Sequence, residues 1–284
     1  MKVLITGATG GLARSVISEF KSAGYSITLT GRQNHNARNY IPCNLTDADA
    51  VTNLVCNVKP NLVLHLAGSF ENNLAKDIAV NSLSAAHIAE ALLKNDNNAR
   101  LVLIGSAAEY GQVSPDENPI AEDHPLRPVS VYGLTKTMQT NIGLFYAASR
   151  KLDIVIARIF NICGDGFSER LFVGRATRQI DEYKQGQIKE LVFGNLTAKR
   201  DYITAKKAAM LLKLVAEKGE NGTVYNIGEG QPIQMLNLLQ KMLDDANISN
   251  APIVQQTVGN RPAVIDIPSI YADISRVEEL LQNN

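Results

Sequence analysis

The eight residues Thr6-Gly7-Ala8-Thr9-Gly10-Gly11-Leu12-Ala13 constrain this chain more than any others. They follow the short apolar run Val3-Leu4-Ile5 and open a segment with helical periodicity, so a strand turns sharply into a helix here. Gly7 and Gly10 allow the tight turn and a close backbone approach. Ala13 stands where a third glycine is common and is still small enough for helix to pack on strand. Such a unit aims backbone N–H groups and the positive end of a helix at an anion, as in a dinucleotide pyrophosphate. A purely structural tight turn is the alternative; the order strand, turn, helix favours the dinucleotide reading.

Residues 26–30, 62–66, 100–104 and 153–157 are further β-rich apolar runs. Between them helical patterns extend to about residue 23, over 48–58, over 77–94 and through the segment carrying Tyr132. Continuous apolar strands alternating with helices predict an α/β fold with a doubly wound parallel sheet covered on both faces. Ligands in such folds bind at the carboxyl ends of the strands. From about residue 161 the rhythm changes. Strands are expected near 191–193 and 225–227, and helices near 175–184, 205–218 and 235–246. The expected division is a dinucleotide-binding domain over 1–160, with segments returned to it from 195–230, and a smaller α/β substrate domain over 161–284. Residues 114–128 read as a loop bordering the site.

At 284 residues with 45 % hydrophobic content the chain can bury a substantial core. Its 28 basic residues balance 28 acidic ones, which gives no electrostatic support for nucleic acid or an anionic membrane. No apolar run reaches the ~20 residues of a membrane span, and the start of the chain reads as a strand rather than a signal peptide. Cys43, Cys56 and Cys163 show no metal-type spacing and are expected as reduced thiols in a cytoplasmic protein without a metal.

Within Ser130-Val131-Tyr132-Gly133-Leu134-Thr135-Lys136, the i, i+4 spacing puts Tyr132 and Lys136 on one helical face. An ammonium beside a phenol is expected to draw its pKa from about 10 toward neutrality, suiting it to exchange a proton with a sugar or carbonyl oxygen. Ser106 ends the strand over 100–104 and could bond the same oxygen, or simply form a turn. After the second strand the chain reads Leu29-Thr30-Gly31-Arg32-Gln33. Arg32 offers a guanidinium to a 2′-phosphate where NAD-binding chains usually carry an acid, and Arg14 adds charge nearby. This favours NADP(H) over NAD(H); an ordinary surface arginine is the alternative.

Taken together, these residues resemble the extended short-chain dehydrogenase/reductases, the nucleotide-sugar branch of the NAD-dependent epimerase/dehydratase superfamily, over nearly the whole chain. The likeness extends to His65-Leu66-Ala67-Gly68, to Asn81, to Arg158-Ile159-Phe160-Asn161 and to Tyr225-Asn226-Ile227-Gly228. The stretch Gly194-Asn195-Leu196-Thr197-Ala198-Lys199-Arg200-Asp201 and the pair Arg261-Pro262 are similar to the GDP-mannose 4,6-dehydratase and GDP-4-keto-6-deoxy-mannose reductase group.

The resemblance implies a Rossmann-type fold with Ser106, Tyr132 and Lys136 catalytic. It implies cofactor contacts from Gly7, Thr9, Gly10, Gly11, Leu12, Arg32, Asn44, Leu45, Leu66, Ala67, Gly68, Asn81, Tyr132, Lys136 and Ile159. Substrate contacts are implied for Ala107, Asn161, Arg200 and Arg261, with a salt bridge to Asp201 as the alternative for Arg200. Dehydratases of the group carry a glutamate two residues after the catalytic Ser/Thr; here that place is Ala108, preceded by Ala107, and Glu109 is one place off. The expected activity is therefore NADPH-dependent reduction of a GDP-linked 4-keto-6-deoxy sugar, in deoxysugar and lipopolysaccharide biosynthesis, by a homodimer. A 4-epimerase with bound NAD is the near alternative and a non-catalytic NADP sensor the distant one.

Overall fold

The computed structural model describes every residue except 34, 36, 165, 257–266 and 283–284. Strand β1 (Lys2–Thr6) leads into α1 (Gly11–Ser22), whose Ala13, Val16 and Phe20 make a buried stripe at helical spacing. Then come β2 (Ser26–Gly31), β3 (Tyr40–Pro42), α2 (Ala48–Val58) and β4 (Leu62–His65). Helix α3 (Leu74–Asp77) runs through a π-helical turn at Ile78–Leu83 into α4 (Ser84–Lys94). Next are β5 (Arg100–Ser106), α5 (Val131–Arg150) and β6 (Ile154–Ile159). The second half adds β7 (Asn161–Cys163), α6 (Phe172–Lys184), β8 (Leu191–Phe193), β9 (Lys199–Thr204), α7 (Ala205–Lys218) and β10 (Val224–Ile227). It ends with β11 (Pro232–Gln234), α8 (Met235–Asp245), β12 (Ile253–Gln255), β13 (Ser269–Ile270) and α9 (Ser275–Gln282).

The main sheet holds seven strands in the order β10-β6-β5-β4-β1-β2-β3, all parallel, so the expected doubly wound α/β fold is present. Strand alternation sorts the core. Val3, Ile5 and Leu64 face α1 and α7 through Val16, Phe20, Leu212 and Val215, while Leu4, Val63 and Leu101 face α2, α4 and α5. Side-chain caps fix where helices begin: Asp47 accepts from Asp49 N and Ala50 N at α2, and Ser130 from Gly133 N at α5. A second, smaller layer consists of β9 with β7, β11 and β13, the pair β8–β12, and α6 and α8 around Ile180, Leu191, Phe193 and Leu239. The sheet order reverses between β1 and β4, and the crevice at their carboxyl ends is the topological switch point. Among the described residues no helix is long and apolar enough to cross a membrane.

Candidate active site

Gly7 shows why the first turn needs glycine. Its φ is +64°, and a Cβ there would lie 2.6 Å from the Ala67 amide nitrogen. The turn at the end of β1 is thus pressed onto the Leu66–Ala67 backbone leaving β4, and Ala67 N donates to Thr6 Oγ1 at 3.2 Å. Gly10 N donates to Gly7 O at 3.0 Å, and Gly10 caps α1 without a side chain. The first turn of α1, with Gly11 and Leu12, holds no acidic residue. Thr9 and Gly10 are exposed, so the helix opens on an uncapped, acid-free N-terminus reachable from solvent, a fit to a diphosphate.

At the outer end of the crevice Arg32 is exposed immediately beyond β2, and Arg14 is exposed on α1. Two buried hydroxyls nearby, Thr30 Oγ1 and Tyr40 Oη, have no hydrogen-bond partner among the described residues. The Tyr40 hydroxyl sits 2.6 Å from where a Cβ on Gly31 would lie. Such orphaned polar groups suit a polar ligand arriving at this end. Tyr40 was not anticipated from the sequence. Asn44 is exposed and its Oδ1 accepts from both Thr46 N and Thr46 Oγ1, at 3.2 and 3.0 Å; Leu45 is buried.

At the inner end, Ser106 closes β5 opposite Ile159 of β6, which is buried. Ser106 Oγ accepts from Ala108 N at 3.2 Å and stands close enough to the Tyr132 phenol to pull its pKa down. What brings the two together is Gly133, where a Cβ would meet Ala108 O at 2.3 Å; the first turn of α5 rests directly on the 107–109 turn. No short-range sequence signal marks that contact. Ala107 is buried in the same turn.

The expected depression of the Tyr132 phenol is not found. Burial pushes it up to about 12, the hydrogen bond with Ser106 pulls it back, and Glu109 raises it further. The phenol's own desolvation is the largest cause, and Lys136 is not set to oppose it. Its ammonium is itself buried, lowered to about 8 by desolvation, and it donates to Gln139 Oε1 at 2.8 Å. Gln139 in turn donates to Ile104 O at 3.0 Å, tying the lysine to the end of β5.

Two buried networks support these groups. Glu109 is fully buried and accepts from Ser106 N at 2.7 Å, Thr140 Oγ1 at 2.8 Å and Arg158 Nε at 3.2 Å. Arg158 also lies 4.6 Å over the Tyr110 ring. On the other side runs a one-way hydrogen-bond chain through Thr6, His65 and Ser84. Thr6 Oγ1 meets His65 Nδ1 at 2.9 Å, His65 Nε2 meets Ser84 Oγ at 2.9 Å, and Ser84 Oγ donates to Val80 O. That direction assigns the proton to His65 Nε2. Asn81, fully buried on the π-helical turn, donates to Ser69 O at 3.0 Å and Thr135 Oγ1 at 2.8 Å, fixing the loop after Gly68 to α5.

The residues expected to grip substrate are placed as follows. Asn161 Nδ2 donates to Asp201 O at 3.0 Å, and Arg200 donates to Lys199 O and Ile267 O at 2.8 and 2.7 Å. Asp201 is turned inward to accept from the backbone nitrogens of Glu229, Gly230 and Ala272, so the carboxylate is engaged by backbone. Arg261 lies outside the described residues. Among the described residues no group of three or more His, Cys, Asp or Glu could hold a metal ion.

Residues 3–228, most of the chain and all the elements just described as far as Gly228, match the NAD dependent epimerase/dehydratase family. The chain belongs to that family. Membership supports a nicotinamide dinucleotide as cofactor, and the uncapped N-terminus of α1 is in keeping with one. Within the family the chain is 28 % identical to a GDP-6-deoxy-D-mannose reductase of Pseudomonas aeruginosa over 210 residues, 72 % of this chain and 69 % of that protein. It is 24 % identical to a UDP-glucose 4-epimerase of Bacillus subtilis over 318 residues, 99 % of this chain and 91 % of that one. A structure of RMD from Pseudomonas aeruginosa complexed with NADPH superposes with a TM-score of 0.86 at 24 % identity, covering 98 % of this chain and 91 % of the other.

Proposed function

We propose that this family member reduces the 4-keto group of a nucleotide-linked 4-keto-6-deoxy sugar, GDP-linked, with NADPH as the hydride source. One observation carries the reading: the α5 turn holding Tyr132 rests on the Ser106–Glu109 turn, and that turn offers no free second acid. Ala107 and Ala108 have no proton to give, and the Glu109 carboxylate is engaged by Arg158, Thr140 and Ser106 N. Water elimination from a sugar needs a further acid or base; ketone reduction needs one proton besides the hydride. A phenol at about 12 begins in the form that donates. In this reading Tyr132 gives its proton to the forming C4 alkoxide while Ser106 stabilises that oxygen. Lys136 sits one helical turn along and compensates the phenolate left behind. The bound cofactor supplies the hydride.

Arg32, with no carboxylate in the Thr30 to Gln33 stretch, supports NADPH over NADH. A 4-epimerase is the second reading, favoured by the similarity to UDP-glucose 4-epimerases over almost the full chain. It would have to begin by removing a proton from a C4 hydroxyl, which a phenol at about 12 does poorly. We also place the domain boundary near residue 160, with 195–230 returned to the first domain. A homodimer is proposed through α4 and α5, where Leu83, just before α4, and Leu134 and Phe145 of α5 are exposed.

The test is turnover. NADPH should be consumed on adding a GDP-4-keto-6-deoxyhexose, and Tyr132→Phe should abolish this while leaving NADPH binding nearly intact. C4 epimers interconverting with no net NADPH consumption would replace the reductase reading with the epimerase one.

A further inference from the structure

Phe70 lies in the loop after β4 and is 47 % exposed. Its ring meets the Tyr132 ring edge-on, with centroids 5.0 Å apart and planes at 67°. An exposed phenylalanine in a loop is ordinarily free to move; here the backbone on both sides of it is tied down. Ser69 N donates to Asn81 Oδ1 at 2.6 Å, and Asn81 Nδ2 returns a bond to Ser69 O. Asp77, fully buried, accepts from Ser69 Oγ at 2.6 Å and from Glu71 N at 3.2 Å, so its one oxygen pins the residues on both sides of Phe70. Arg170, from the segment entering α6, donates to the Phe70 carbonyl at 2.8 Å. Burial does not account for this arrangement, because nearly half of the residue is exposed to solvent. A rigid apolar surface kept in contact with a proton-donating tyrosine has the construction of a ligand-contacting wall.

We propose that Phe70 is a specificity-determining residue that packs against the 6-methyl edge of the sugar and selects 6-deoxy over 6-hydroxylated substrates. The inference rests on the sugar-nucleotide reading above. The C4 oxygen has to lie within hydrogen-bond reach of Tyr132 and Ser106, so the atoms next to C4 fall beside the Phe70 ring. One neighbour, C3, carries a hydroxyl; the other, C5, carries C6. A phenyl ring gives a methyl a dry contact and offers a hydroxyl no hydrogen-bond partner, so a hydroxyl pressed there loses its water uncompensated. Orienting C6 onto Phe70 also turns C3 toward the opposite wall. Arg170 makes the selection depend on the second layer, since the same loop is anchored to the segment that leads into α6.

The experiment titrates NADP-loaded enzyme with two stable C4 alcohols, a GDP-6-deoxyhexose and the GDP-hexose that differs only in its 6-hydroxyl. Wild type, Phe70→Ala, Phe70→Leu and Arg170→Ala are compared, with melting temperature and NADPH affinity measured alongside. Wild type should prefer the 6-deoxy sugar by about 10- to 100-fold, the range a hydrophobic contact can discriminate. Phe70→Ala should bring the preference to within about 3-fold, mainly through weaker 6-deoxy binding, with folding and NADPH affinity unchanged. Phe70→Leu should retain part of it, and Arg170→Ala should lose part. An unchanged preference in Phe70→Ala, or equal weakening of both sugars, overturns the inference and leaves the reductase reading standing. Wild type that binds neither sugar and consumes no NADPH with the ketone overturns that reading, and the inference with it.

Discussion

Replacing Glu109 by glutamine should destabilise this protein severely although it removes only a charge. The side chain is 0 % exposed and its partner Arg158 is 2 % exposed, with Nη2–Oε2 at 3.1 Å. Arg158 remains cationic in the variant, and Tyr110 and the Glu122 carbonyl are the polar groups left to it. Breaking one side of a buried pair costs about 3–5 kcal/mol, because the surviving charge is left without its counter-ion. For 284 residues the unfolding entropy is about 0.6 kcal/mol per kelvin. The expected loss is therefore about 5–8 °C in Tm, read by calorimetry at fixed protein and cofactor concentration. The double variant Glu109→Gln/Arg158→Met removes the stranded charge and should be no less stable than either single variant, which requires a coupling energy at least as large as the single loss, about 3–5 kcal/mol. Additive losses in that cycle, or a single-variant loss under about 1 kcal/mol, would refute the argument that this pair carries the strand ends holding Ser106.

Two further perturbations bear on other parts of the molecule. Arg32→Ala should weaken NADPH about tenfold or more while changing NADH little, since a charge-assisted bond to phosphate contributes roughly 1.5–3 kcal/mol; titration with both cofactors checks it. His65 is lowered to about 3 by burial and by Lys136, so the folded chain binds fewer protons than the unfolded one between about 3 and the ordinary 6.5. Its contribution is full above 6.5 and is lost as pH falls toward 3, by up to about 1.4 kcal/mol per pH unit. His65→Asn should flatten the fall in Tm over that window even if the variant is less stable at neutral pH.

The parts of this structure legible in the sequence are those fixed by local pattern. The glycine turn depends on φ at Gly7, and the buried parallel strands announce themselves as continuous apolar runs. The π-helical turn at Ile78–Leu83 was hidden inside what reads as one helix over 77–94, because its cause is tertiary: Asn81 and Ser82 both bond Thr135 of α5. Strands β7, β9, β11 and β13 were not read as strands, being two to six residues long and mostly half-exposed, without a clean alternation. The spacing of Tyr132 and Lys136 correctly puts them on one helix, yet the direction of the phenol shift depends on how deeply the phenol itself is buried and on the nearby Glu109. A four-residue interval carries neither fact.

Strand β10 has a consequence for synthesis. It lies at the end of the main sheet against β6, whose six residues are all buried, but the chain makes β6 first and β10 only after building much of the second layer. At 5–20 residues per second, translation from Ile159 to Val224 takes roughly 3–13 s. Throughout that interval an apolar parallel edge stands open on the nascent chain, able to recruit any strand that meets it. The main sheet is therefore completed only once Val224–Ile227 has been made, late in translation.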